Sequence, residues 1–233
     1  MMLARPLHAA AAAIMAIALG LAWNASAQMP GDTGKHDSKR GAVIAAQGTA
    51  AGAPACAQCH AFNGASDGSG AFPRIAGQSA YYLAKQMHDF TSNVRVSAVM
   101  SPIAKALTLD DIADAAAYYA GVNAPFLPLR NSDPALIKRG EELAKVGSAS
   151  NAIQACDNCH GPGGAGESPA IPYLAGQYAP YIVFELRMWQ RGFRKSSPEA
   201  MAAVAKRLND QEIAAVAAYY QQVPGSAKAK TSD

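Results

Sequence analysis

Cys56-Ala57-Gln58-Cys59-His60 returns 100 positions later as Cys156-Asp157-Asn158-Cys159-His160, and the two copies use all four cysteines of the chain. In such a turn the two thiols can bond the two vinyl carbons of one haem while the adjacent histidine reaches the iron from the same face. A single copy is only moderately specific, because CxxC also serves zinc sites and thiol redox sites. Three other readings compete. Disulfides leave the two identically placed histidines unexplained. Zinc sites usually separate the histidine from the second cysteine. A thioredoxin-like motif expects a βαβ pattern, which is missing around both copies. The repetition favours two covalently attached haems.

The repeat reaches well beyond those turns. Lys39-Arg40-Gly41 recurs as Lys138-Arg139-Gly140, and Pro73-Arg74-Ile75-Ala76-Gly77-Gln78 as Pro172-Tyr173-Leu174-Ala175-Gly176-Gln177. Met100, Ala104, Lys105 and Leu107 recur as Met201, Ala205, Lys206 and Leu208, and Tyr118-Tyr119 as Tyr219-Tyr220. One unit of about 90 residues is therefore used twice. The expected organisation is residues 37–121 and 133–224 as two domains, joined by a Pro-containing linker over 122–132. Polar tails over 28–36 and 225–233 flank them.

The pattern within each unit is helical. Asp133 precedes Pro134 as a helix N-cap, and Asp37-Ser38 opens the matching helix. Thr108 with Asp111, and Asn209 with Glu212, set a capping residue three positions before an acid. Ile112, Ala116 and Tyr119 then share one face, as do Ile213, Val216, Ala217 and Tyr220. Middle helices are expected from about Ala80 to Phe90 and from Pro180 to Arg191. No stretch shows the period-two alternation of a strand.

Residues 1–27 read as a secretory signal, with Arg5 and His8 before an apolar run from Ala9 to Trp23 and Ala25-Ser26-Ala27 as the cleavage site. The run is shorter than the roughly 20 residues of a membrane span. A periplasmic protein, soluble after cleavage, is expected. Lys and Arg total 20 against 17 Asp and Glu, and losing Arg5 with the signal narrows the gap. No basic stripe interleaved with aromatics points to nucleic acid.

Taken over residues 36–224, the chain resembles the class I cytochromes c, in particular the dihaem cytochrome c4 type. That resemblance implies an all-α fold of two tandem class I cytochrome c domains, each wrapped around one covalently bound haem c. It places Cys56 and Cys59, and Cys156 and Cys159, in the thioether bonds, and His60 and His160 on the irons. It also implies a methionine opposite each histidine. Met100 and Met201 lie 40 and 41 residues after their histidines at equivalent repeat positions, whereas Met87 and Met188 do not match one another and read as packing residues. The carbonyls of Pro73 and Pro172 are expected to accept the Nδ1 proton of each ligand histidine.

Gly41 and Gly140 fall mid-helix, where glycine costs roughly 1 kcal/mol relative to alanine, and a close crossing near Tyr119 and Tyr220 would offset this. Tyr82, Tyr181, Phe90 and Trp189 are expected to wall the haems, with Trp189 or a tyrosine donating to a propionate. With no open coordination position and no acid–base constellation, the expected function is a periplasmic single-electron carrier in a respiratory chain rather than an enzyme. Its partners would be a quinol-oxidising complex, a terminal oxidase or a dehydrogenase, with any membrane association peripheral and through them. The alternative is a haem-bearing subunit of a periplasmic dehydrogenase complex.

Overall fold

Both units open on a helix capped by an aspartate. In the computed structural model, which describes residues 36–125, 133–197 and 199–224, Asp37 accepts from the backbone N–H groups of Lys39 and Arg40 at the start of α1 (Ser38–Gln47). Asp133 accepts from Ala135 N–H at the start of α6 (Pro134–Lys145), with Pro134 in the first turn. The predicted signal, nearly all of the two tails and linker residues 126–132 lie outside the described residues.

The closing helices, α5 (Leu109–Gly121) and α10 (Asp210–Gln222), begin with complete capping boxes, Thr108 with Asp111 and Asn209 with Glu212. Each satisfies two helix-end donors reciprocally. Between them lie α2 (Ala57–His60), α3 (Ala80–Thr91) and α4 (Met100–Lys105) in the first unit, then α7 (Asp157–His160), α8 (Ala179–Gln190) and α9 (Met201–Arg207) in the second. No strand forms among the described residues, only isolated bridges.

Helix α1 crosses α5, and α6 crosses α10, at the predicted glycines. A Cβ on Gly41 would collide with the Asp114 carbonyl and Tyr118 Cβ, and one on Gly140 with the Ala215 carbonyl and Tyr219 Cβ. The contact is therefore with the first tyrosine of each pair, not with Tyr119 and Tyr220 as expected. Neighbouring helical residues point about 100° apart, so the second tyrosine faces elsewhere. Tyr119 donates to the Ala61 carbonyl at 3.3 Å, and Tyr220 to Asp157 at 2.8 Å. Arg40 fastens the first crossing through Asp114 and, at 2.7 Å, Asp111. Arg139 reaches Glu212 at 3.5 Å across the second.

The cores differ. The second unit buries Leu143, Ile153, Ile182, Leu186, Ile213 and Tyr220 in one cluster. The first has two small clusters, Ala84-Ile112-Ala116 and Ala65-Ala76-Ala124. So few large apolar side chains make a unit of this size marginal without an additional buried group.

The two units dock about a pseudo-twofold. Arg95 and Arg194 pair as an antiparallel bridge, flanked by Val96 N–H on the Phe193 carbonyl and Lys195 N–H on the Val94 carbonyl. Both guanidinium groups are buried. Arg95 binds Glu185, Tyr181 and Gln86, while Arg194 binds Glu185, Tyr82 and Gln86. Glu185 and Gln86 occupy equivalent repeat positions, so one carboxylate faces two arginines.

Candidate functional site

Each CxxCH folds as a single helical turn ending in its histidine, α2 at His60 and α7 at His160. Both imidazoles are buried. His60 Nδ1 lies 3.1 Å from the Pro73 carbonyl oxygen and His160 Nδ1 lies 2.9 Å from that of Pro172, the geometry expected for both prolines. With Nδ1 donating to a carbonyl, Nε2 is the ring nitrogen left to bind a metal. Burial lowers the pKa of both rings, against the opposing pull of the proline carbonyls. They stay neutral, the form a metal ligand requires.

The turn also sets the thiols. All four cysteines are free of disulfides, with Cys56, Cys59 and Cys156 half-buried and Cys159 exposed. Burial pushes the Cys56 thiol up and the Cys156 thiol up to about 11. A redox-active CxxC needs the opposite shift. Weakly acidic thiols at Cys56 and Cys156, each in one turn with a buried histidine whose Nε2 is free, and in the first unit a core of small alanine-rich clusters, fit a covalently held haem.

Met100 and Met201 are the first residues of α4 and α9 and are half-buried. Met87 packs against the Ala84-Ile112-Ala116 cluster, consistent with a packing role. The predicted haem-wall aromatics have other partners. Trp189 Nε1 donates to the Ser196 carbonyl at 2.8 Å, and the Tyr82 and Tyr181 hydroxyls accept from Arg194 and Arg95. Arg95 lies 4.6 Å from the Phe90 ring centroid and Arg194 3.8 Å from that of Trp189. Sequence reasoning missed this cluster, although the recurrence of Arg95 as Arg194 at the repeat interval was a signal that pointed to it.

Residues 142–219 match a family model described as cytochrome c oxidase, cbb3-type, subunit III. Cytochrome c4 of Pseudomonas aeruginosa is 36% identical over 186 residues, covering 78% of this chain and 91% of that protein. The chain belongs to the cytochrome c4 family. A thiosulfate dehydrogenase electron acceptor of Stutzerimonas stutzeri is 37% identical over 172 residues, 73% of this chain and 80% of that protein. Among solved structures, reduced cytochrome c4 from Pseudomonas stutzeri superposes with a TM-score of 0.70 at 29% identity, over 81% of this chain and all of that one. The thiosulfate dehydrogenase TsdBA of Marichromatium purpuratum gives 0.75 at 40% identity over 80% of this chain, which spans 40% of that longer protein.

The chain is thus a dihaem c-type cytochrome and an electron-transfer protein, with one CxxCH turn for each covalent haem c. Each haem supplies a one-electron Fe(III)/Fe(II) couple. No described helix is long and apolar enough to cross a membrane.

Proposed function

We propose that the chain is a periplasmic carrier that takes single electrons from a dehydrogenase and passes them to a terminal oxidase or similar acceptor. Residues 37–121 and 133–224 hold one haem each, through Cys56 and Cys59 and through Cys156 and Cys159. His60 with Met100, and His160 with Met201, are the axial pairs. The observation that carries this reading is the duplicated turn, with a buried neutral histidine on a proline carbonyl and a half-buried methionine opening the same later helix in each unit. A thioether is a weak donor that favours ferrous iron, raising the potential, and it leaves no open position for a substrate. The signal over 1–27 delivers the chain to the compartment where c-type haems are used.

The donor reading is supported by the relatives named thiosulfate dehydrogenase electron acceptor. A donor that oxidises its substrate by two electrons can leave one on each haem. The oxidised holoprotein should be reduced at both haems within seconds when mixed with a thiosulfate dehydrogenase and thiosulfate. Reduction by dithionite but not by that mixture would refute this donor and leave a quinol-oxidising complex as the next candidate. The likeness to part of the longer TsdBA favours a second reading, a permanent subunit of a dehydrogenase complex. Co-purification with a catalytic chain distinguishes the two.

A further inference from the structure

The residue after each ligand-supporting proline is gripped by the other unit. Gln177, buried, accepts from Arg74 N–H at 3.0 Å and donates its amide Nε2 to the Arg74 carbonyl at 2.9 Å. One side chain thus bridges both backbone polar groups of the residue that follows Pro73. The equivalent Gln78 does the same to Tyr173, more loosely, donating to its carbonyl at 3.3 Å and accepting from its N–H at 3.4 Å. Further bonds from the second unit reach the same region of the first. Tyr173 donates to the Ala76 carbonyl and Tyr178 to the Ala65 carbonyl, and the Ser66 N–H in turn holds the His60 carbonyl at 2.8 Å. In the reverse direction Ser79 donates to the Pro169 carbonyl at 2.6 Å.

We infer that Gln177 and Gln78 are positioning residues for the axial histidines across the domain seam, Gln177 fixing the Pro73 carbonyl that holds His60 and Gln78, more weakly, the Pro172 carbonyl that holds His160. A carbonyl held in place keeps the Nδ1–H bond directed and the imidazole a stronger donor to the iron. Releasing it makes the ring a weaker donor, which stabilises ferric iron less and raises the potential. Because Gln177 grips more tightly than Gln78, the haem of the first unit depends more on docking than that of the second. Each iron's potential is thereby set partly by its neighbour's domain.

This inference rests on His60 and His160 being the ligands, and its test reads that separately. Paramagnetic NMR of the oxidised holoprotein must first show a hyperfine-shifted, exchangeable Nδ1 proton for each histidine; their absence would overturn the ligand reading and this inference with it. In Gln177→Leu the His60 Nδ1 proton should exchange faster. A redox titration followed on assigned haem methyl resonances should show the first haem's reduced-to-oxidised ratio raised threefold or more at its original midpoint, about 28 mV at about 59 mV per tenfold for one electron. The second haem should not move. Gln78→Leu should move only the second haem, and by less; it also carries the test should Gln177→Leu fail to mature. Ser79→Ala, which removes a seam bond without freeing the residue after Pro73 or Pro172, should move neither. Unchanged potentials in both glutamine variants, or equal shifts at both haems in either one, would show that the glutamines only join the domains.

Discussion

Replacing Glu185 by glutamine removes the one carboxylate that, among the described residues, directly contacts both Arg95 and Arg194. The shape is conserved, but two buried guanidinium groups lose their counter-charge. Breaking a buried ion pair by removing one partner costs about 3–5 kcal/mol, because the remaining charge stays desolvated. At 3 kcal/mol the balance between docked and undocked units shifts by more than about a hundredfold. Denaturant unfolding of the holoprotein, followed by haem absorbance and near-ultraviolet circular dichroism, should therefore show an early loss of the seam in Glu185→Gln. The pseudo-twofold supplies a rescue. Gln86 already accepts from both arginines, so Gln86→Glu added to Glu185→Gln should recover at least half of the loss, with the nearby Asp89 limiting it. Stability within about 0.5 kcal/mol of the parent for Glu185→Gln, the range of an ordinary surface change, or no rescue by the second change, would refute the argument.

Acid should reproduce that loss. Burial alone would raise the Glu185 pKa, but Arg95 and Arg194 outweigh it and hold the carboxyl below its ordinary value. A depressed folded-state pKa contributes stability that is complete above the unfolded value and disappears as pH falls through the folded one. The seam should weaken below the ordinary glutamate range, with a flatter profile in Glu185→Gln. Gly140→Ala should destabilise by about 1–3 kcal/mol in thermal unfolding, since the Ala215 main chain blocks the new methyl. Gly121→Ala, whose Cβ meets nothing within 4 Å, should be neutral or better, and a Gly140→Ala variant as stable as the parent would contradict the close crossing. Cys59→Ala should accumulate poorly, because the first unit has only small alanine-rich clusters without its haem. Normal yield with native helicity would contradict that dependence.

Much of the fold was legible because local signals and the repeat agreed. Asp37, Asp133, Thr108 and Asn209 marked helix starts within a residue, since a cap is a short-range hydrogen bond that needs no knowledge of the rest of the chain. The prolines facing His60 and His160 were legible through the family resemblance. The tyrosine at each helix crossing was misjudged by one position, because periodicity gives the buried stripe but not which side chain meets the partner's glycine. The seam was the least legible part. Arg95, Arg194 and Glu185 carry no local signal of their shared role until two units are docked, and Gln78 and Gln177 stood out only as repeated letters. Their roles arise from tertiary contacts about 90–110 residues apart in sequence.

The central claim is that both irons are six-coordinate between histidine and methionine. The most direct measurement is a haem-quantified spectrum of the reduced, matured protein before and after carbon monoxide. Two haems per chain with an essentially unchanged spectrum are expected, because the proposed ligands Met100 and Met201 would fill the sixth positions. Stoichiometric carbon monoxide binding at either haem would contradict the account.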